Sequence, residues 1–372
     1  MRAGIVGGGR GAFIGRVHRM AAELDGQALI VAGSLSSSPQ IAAESAREWC
    51  LERSYDSYVE MARAEASMSD GIDFVIVATP NNLHYPVAKA FLERGIPVVC
   101  DKPLAHTFDD AEALVDLVSR TGLVFALTHT YTGYPMVREA RERVVHGQIG
   151  EIRKVLVEYH QDWLMHPLEQ MGNKQAAWRT DPILAGASGC VGDIGTHAAN
   201  LLEFITGRRI LQLCADLSTH VSGRRLDDDA QMLLRLEGGG KGVLSCSQVA
   251  CGDENELSIR IYGSSAGLEW HQHEANSLWF KGAGKSWQRL RTAGDEISTD
   301  GAAASRLPSG HPEGYLEAFA NIYRAAIDDI RRCARDEPLQ RQYPTVEDGL
   351  RGMRFIARAV ESSQQGGQWL TL

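Results

Sequence analysis

The sequence predicts an α/β protein in two parts: a doubly wound parallel sheet over residues 1–128, then a domain over residues 129–372 with an open, mostly antiparallel sheet. Three observations predict it. Apolar runs and helix-patterned stretches alternate as far as Thr128; the first of those runs enters a glycine cluster; and beyond residue 150 apolar stretches follow one another with few helices between them.

Ala3 to Val6 forms the first strand and leads into Gly7, Gly8, Gly9, Arg10, Gly11, Ala12, Phe13, Ile14 and Gly15, with a helical pattern from Phe13 to Leu24. Strand, glycine turn and helix is the context of a dinucleotide fingerprint of Rossmann type, in which glycines let a pyrophosphate approach the backbone and the helix N-terminus supplies unpaired N–H groups. Gly7 and Gly9 fill the first two fingerprint positions and Gly15 the third, so the loop carries about three extra residues, Arg10, Gly11 and Ala12. Gly11, Phe13 and Ile14 fall inside this predicted cofactor loop. A bare tight turn is the competing reading of the cluster.

The second strand, Leu29 to Ala32, ends in Gly33, Ser34, Leu35, Ser36, Ser37 and Ser38, where such a fold commonly offers an acid to the ribose hydroxyls. Ser34, Ser36 and Ser37 can bond either a ribose hydroxyl or a 2'-phosphate, so NAD and NADP both stay open. The lack of an immediate arginine favours NAD. Ser38 and Pro39 read as N-cap and first residue of a helix to Leu51. Ile72 to Ala78 is a continuous apolar run of the kind a strand covered on both faces shows. It ends in Thr79, Pro80, Asn81, Asn82, Leu83 and His84, opening a helix to Arg94. Thr79, Pro80, Asn81 and His84 either face a cofactor at the strand's carboxyl end or simply begin the helix. Ile96 to Cys100 runs into Asp101, Lys102 and Pro103. A lysine there, its backbone restrained by the proline, can reach a nicotinamide and stabilise a developing oxyanion; the bland alternative pairs it with Asp101. A helix from Phe108 to Arg120 and a strand from Leu123 to Thr128 complete the alternation.

Past Thr128 a helix is expected from Tyr134 to Val145 and a long strand from Ile152 to Asp162. Val155, Val157, Tyr159 and Gln161 share one face of that strand, and Lys154, Leu156, Glu158, His160 and Asp162 the other, which is largely polar. Further strands are expected near 210–221, 230–236, 241–249, 256–262 and 266–270; residues 282–310 read as a long excursion, followed by a helix from Tyr315 to Arg335 and a short closing strand from Gln368. In the stretch Gly189, Cys190, Val191, Gly192, Asp193, Ile194, Gly195, Thr196, His197, a carboxylate and an imidazole stand four residues apart. On a helix they share a face, and a carboxylate beside a histidine raises its proton affinity and fixes the outward nitrogen, as a general base requires. A helix start with an acid in its first turn is the plainer reading. His160, Gln161, Asp162, Trp178 and Arg179 are expected on the substrate side, with Trp178 either flooring a pocket or packing in a core, and Trp178 and Arg179 also near the cofactor. His311 either serves a substrate, in its own or a neighbouring subunit, or is a surface histidine.

The composition narrows the class. At 44% hydrophobic and 23% charged, the 372 residues suit a globular protein with two cores. A net charge of -9 and a pI near 5.8, with no basic stripe, argue against nucleic acid. No apolar run approaches the roughly 20 residues that span a bilayer and no signal-type segment precedes the first strand, so no membrane association and a cytoplasmic setting are expected. Seven cysteines without a CxxC pair fit reduced thiols. His271 and His273 form an HxH, but with no further ligand grouped nearby no metal is expected.

In order and spacing, the glycine loop, TPNNLH, DKP and GDIGTH resemble the glucose-fructose oxidoreductase, inositol dehydrogenase and rhizopine-catabolism family (Gfo/Idh/MocA) over essentially the whole chain. DKP stands where the family usually writes EKP, and GDIGTH where it writes a glycine-rich DxGxH. The resemblance implies Lys102, Asp193 and His197 as the catalytic set and NAD or NADP across the first domain, where Asp101 and Lys102 are also expected to bind the cofactor. It also implies a small polyol or sugar as substrate and a homo-oligomer, dimer or tetramer. AFIGRVHR, HQDWL and AAWRTDP resemble most a subgroup containing a scyllo-inositol dehydrogenase that also oxidises L-glucose. The expected reaction is oxidation of a secondary hydroxyl. A non-catalytic dinucleotide-binding sensor, or a dehydrogenase for another sugar derivative, is the alternative.

Overall fold

The computed structural model describes residues 1–372 and forms two compact units, Met1–Thr130 with Phe319–Met353, and Tyr131–Ala318 with Arg354–Leu372. The first contains six parallel strands: β1 (Arg2–Gly7), β2 (Leu29–Ser34), β3 (Arg53–Ser54), β4 (Phe74–Ala78), β5 (Val98–Cys100) and β6 (Phe125–Leu127). Their order, β3-β2-β1-β4-β5-β6, is that of a doubly wound sheet whose strand order reverses between β1 and β4. Five helices connect them: α1 (Phe13–Glu23), α2 (Pro39–Glu48), α3 (Tyr58–Ser67), α4 (His84–Leu92) and α5 (Phe108–Thr121). Every residue of β4 is buried, as its unbroken apolar run predicts. The short strand β3 was not expected, and two helices differ from the sequence expectation. Helix α2 stops at Glu48 instead of Leu51, because Cys50 turns left-handed (φ 53°) and the Leu51 and Cys50 N–H groups close back on the Ala46 and Arg47 carbonyls. Helix α3 was not expected; the Ser57 side chain caps it by accepting from the Glu60 N–H, and Met61 and Ala62 bury its inner side.

The second unit is built on a nine-stranded sheet of β7 (Ile152–His160), β8 (Ile210–Ser218), β9 (Asp229–Leu236), β10 (Lys241–Ser247), β11 (Glu256–Gly263), β12 (Ala266–His271), β13 (Ser277–Gly282), β14 (Gln288–Arg291) and β15 (Leu370–Thr371). The order is β14-β13-β12-β11-β7-β10-β9-β8-β15, antiparallel throughout except for β7 beside β10. Helices α6 (Pro135–Val145), α7 (Lys174–Arg179), α8 (Pro182–Ala185), α9 (Thr196–Thr206) and α10 (Thr299–Ala303) accompany it. Strand β7 is two-faced: Val155, Val157 and Tyr159 are buried, while Leu156, Glu158 and His160 are partly exposed. The excursion over 282–310 is shorter than expected, since it carries β14, paired with β13, and α10, capped by Ser298. Strand β8 ends at Ser218 rather than 221, where the Asp228 carboxylate takes the His220 and Val221 N–H groups out of the ladder.

Residues 319–353, which the sequence division placed with the second part, belong to the first unit. They lie on α11 (Tyr315–Cys333), the connection, and α12 (Val346–Gln364). Tyr323 is fully buried against His18 of α1, and the Pro344 carbonyl receives the Leu127 N–H of edge strand β6. No helix is long and apolar enough to cross a membrane.

Candidate functional site

At the carboxyl end of β1, Gly7, Gly9 and Gly15 leave no room for a side chain. A Cβ on Gly7 (φ 81°) would sit 2.5 Å from the Ala78 oxygen, one on Gly9 2.6 Å from the Leu35 oxygen, and one on Gly15 2.3 Å from the Gly8 Cα. Gly8, which fills none of the three fingerprint positions, thus supplies the contact that lets α1 start against the loop. Gly11 (φ 84°) faces open space. Helix α1 begins at Phe13 with Ala12 as N-cap; no side chain caps it and its first turn has no acid. Its N–H groups therefore suit an anion. Phe13 is 67% exposed, and Ile14 is partly exposed beside it. At the end of β4, Thr79 Oγ1 is buried with no hydrogen-bond partner, as is Asn82 Oδ1 in the turn after Pro80. Closely approached backbone and unpaired buried polar atoms fit a dinucleotide. Ser34, the last residue of β2, is buried, and beyond it Ser36 Oγ accepts from the Ser38 N–H, with Ser37 between them. An arginine does stand nearby in space: Arg10, whose N–H bonds Ser45 Oγ while its guanidinium pairs with Glu44 at 2.9 Å and with Glu48.

The two following loops are braced together. The buried His84 ring places Nδ1 2.7 Å from the Pro103 carbonyl oxygen and Nε2 3.0 Å from that of Thr79, so it links the turn after β4 to the one after β5. Asn81 lies buried in the short helical turn 81–83. Asp101 Oδ1 accepts from the Lys102 N–H at 3.0 Å and from Thr128 Oγ1 at 3.1 Å, fixing the strand end that carries Lys102; the Lys102–Pro103 peptide is cis. Neutral imidazoles surround this point. Burial pushes His18 down to about 4 against an upward pull from Asp101, and it pushes His129 to about 4 with the Lys102 charge adding to the shift. Burial lowers His84 as well. His18 and His129 were missed, since nothing local marks them; their partners lie far along the chain.

In the second unit the Gly189–His197 stretch is not a plain helix. Val191–Gly195 forms a π turn from which α9 continues, a widening that recurs at functional sites. The Asp227 carboxylate holds it by accepting from the Gly189 and Val191 N–H groups, each at 2.9 Å. Asp193 sits within that turn, and its Oδ2 accepts from Arg179 Nε at 3.3 Å and from Gln248 Nε2 at 2.8 Å. The Arg179 guanidinium lies over the Trp178 ring, 4.2 Å from its centroid. His197 is 8% exposed; the Tyr131 ring stands perpendicular to it with centroids 5.0 Å apart, and the Tyr159 ring centroid lies 6.2 Å away. Burial raises both tyrosines, keeping them neutral. Their hydroxyls bond each other, Tyr159 donates to Asn255 Oδ1 at 2.8 Å, and Gln161 Nε2 reaches the same oxygen. Gln248, Tyr131 and Asn255 were not foreseen.

Three further expected residues make bonds of their own. His160 alternates with Tyr159 along β7 and so points to the other face of the sheet, where Nε2 meets Ser245 Oγ at 2.9 Å and Nδ1 lies 3.4 Å from Asp253. Asp162, past the end of β7, accepts from the Gly252 N–H at 3.4 Å. His311 is exposed, its Nδ1 3.2 Å from the Pro308 carbonyl oxygen.

Comparison with known proteins agrees with this architecture. Residues 1–143 match the family described as "Oxidoreductase family, NAD-binding Rossmann fold", and residues 137–269 the GFO/IDH/MocA C-terminal domain. The crystal structure of an oxidoreductase from Sinorhizobium meliloti is 46% identical, with a TM-score of 0.90 over 100% of this chain and 99% of that one. An inositol dehydrogenase homolog from Azotobacter vinelandii, complexed with NADH and myo-inositol, is 33% identical, with a TM-score of 0.93 over 100% and 97%. The levoglucosan dehydrogenase of Pseudarthrobacter phenanthrenivorans is 27% identical over 84% of this chain and 82% of its own. With its cofactor loop, its two sheets and these relatives in agreement, the chain belongs to the GFO/IDH/MocA family of NAD-binding oxidoreductases.

Proposed function

We propose that the protein oxidises a secondary hydroxyl of a cyclic polyol or sugar, inositol-like or L-glucose-like. The observation that carries the reading is the Asp193 carboxylate, fixed by Arg179 and Gln248 on the π turn that leads into buried His197. When bound, NAD supplies the hydride acceptor at nicotinamide C4. His197 takes the hydroxyl proton as general base, and the Lys102 ammonium stabilises negative charge building on that oxygen. Asp193 orients the histidine or bonds the neighbouring hydroxyl. Arg179, with Trp178 beneath it, offers donors to further hydroxyls, of which a polyol has several. The NADH and myo-inositol complex of the Azotobacter relative and the activity in the levoglucosan enzyme's name support a cyclic, hydroxyl-rich substrate. The latter favours a second reading, an anhydrosugar. We place the protein in the cytoplasm, on its cysteine pattern, and as a homo-oligomer, on its open sheet face. The test is NADH formation by purified protein across inositols, L- and D-glucose, levoglucosan and sugar lactones. Turnover with one class, lost by 10²-fold or more in Lys102→Ala with its circular dichroism unchanged, is expected; a Lys102→Ala variant near the wild-type rate removes this assignment.

A further inference from the structure

Glu256 opens β11 and His271 closes β12, and these strands pair antiparallel with Ser258 opposite His271. Glu256 and Ser258 are two residues apart, so Glu256 and His271 share one face of the sheet. His273 follows in the short turn Gln272–Glu274. Its Nδ1 lies 2.7 Å from Oε2 and 2.8 Å from Oε1 of Glu256, and Nδ1 of His271 lies 3.4 Å from the same Oε1. One ligand atom from each residue falls within 4.8 Å of the others. The HxH pair alone lacks a third ligand nearby in sequence; the β11–β12 hairpin brings it from 15 residues before His271.

Two further features set this group apart from a chance polar cluster. Nε2 of His271 donates to Glu269 at 2.6 Å, the arrangement by which a metal-bound imidazole has its tautomer and orientation fixed. The turn that carries His273 is also held independently: Trp270, fully buried, donates through Nε1 to the Ala275 carbonyl at 3.2 Å, and Glu274 is drawn away to Arg289.

We propose that Glu256, His271 and His273 bind one divalent ion of the zinc class, with water completing the coordination. Two imidazoles and a carboxylate suit zinc, cobalt or nickel, whereas magnesium and calcium take oxygen ligands. Ligand atoms of a tetrahedral site with bonds of about 2.0–2.2 Å lie roughly 3.3–3.6 Å apart. Rotation of the His273 side chain, 62% exposed, closes the remaining gap. The ion fastens the turn after β12 to the start of β11, away from the face of β7 that carries Tyr159.

The experiment uses the full-length chain without an affinity tag, stripped with chelator. Cobalt(II) is titrated and followed by visible absorption, and zinc by calorimetry. One equivalent per chain is expected, with a rise in melting temperature on zinc addition. His273→Ala and Glu256→Gln each lower the affinity at least tenfold, and Glu269→Gln lowers it about tenfold through His271 alone. The proposal is overturned by the absence of stoichiometric binding. It is equally overturned if the double variant His271→Ala/His273→Ala, with an unchanged far-ultraviolet spectrum, binds as tightly as wild type.

Discussion

The side-chain amide of Gln248, just past the end of β10, donates to the Oδ2 of Asp193 at 2.8 Å. Gln248 is 2% exposed, so the bond cannot be exchanged for one to water. A hydrogen bond to a charged group contributes about 1.5–3 kcal/mol, which is tenfold or more in a rate if it holds the group where the reaction needs it. Gln248→Leu keeps the volume and removes the donor. Its kcat for NADH formation is expected to fall at least tenfold while the melting temperature falls by only a few degrees. An unchanged kcat would mean that Arg179 alone positions the carboxylate.

Much of the fold is legible in the sequence because β1, β2, β4, β5 and β6 are buried apolar runs, while β7, β9 and β12 of the second unit alternate. The glycine loop, the DKP turn and the Asp193–His197 stretch are likewise local, set by residues within a few positions of one another. What is not legible is long-range. Gln248 meets Asp193 across 55 residues, and His84 meets Pro103 across 19. The binding of Tyr323 to His18 spans 305, which is why residues 319–353 could not be assigned to the first unit from periodicity. His160 by contrast is legible: the two-residue period of β7 puts it on the face opposite Tyr159, where it meets Ser245.

The glycines of the cofactor loop divide by what a methyl group would meet. On Gly15 it meets backbone, the Gly8 Cα at 2.3 Å and the Gly8 oxygen at 2.4 Å, so the helix start must move. On Gly11 nothing lies within 4 Å, and the penalty is the left-handed backbone, about 1–2 kcal/mol. Gly15→Ala is therefore expected to weaken NAD binding at least tenfold by calorimetry. Gly11→Ala should lower the melting temperature by a few degrees and keep binding within a few-fold. Equal losses in the two variants would show that close approach at Gly15 is not what the coenzyme needs.

Arg10 bears on coenzyme choice. Its loop is tied to the end of β2 through the Gly9 N–H bond to the Leu35 oxygen, near the serines that follow the strand. A free guanidinium there would welcome a 2'-phosphate, but Glu44 and Glu48 of α2 both pair with it. Wild-type kcat/KM is expected to be higher with NAD than with NADP. The double variant Glu44→Gln/Glu48→Gln releases the guanidinium and raises kcat/KM for NADP about tenfold, with NAD little changed. No gain with NADP would show that Arg10 does not reach the ribose.

The buried imidazoles of the first unit make its stability depend on pH in a definite direction. His18 and His129 are each held at about 4, chiefly by burial, whereas an unfolded histidine titrates near 6.5. Between those values the unfolded chain binds more protons than the folded one, so stability rises with pH. The contribution is fully present above about 6.5 and is lost as pH falls towards 4, at up to about 1.4 kcal/mol per pH unit for each histidine. Urea melts at pH 7, 6 and 5 are expected to show progressively lower midpoints. His18→Gln retains a side chain able to bond the Tyr323 hydroxyl but does not titrate, so it starts less stable at pH 7 and declines less steeply. Parallel curves for wild type and variant across that window would show that His18 is not a source of the acid sensitivity, and that the dry pocket between α1 and α11 admits its proton without opening.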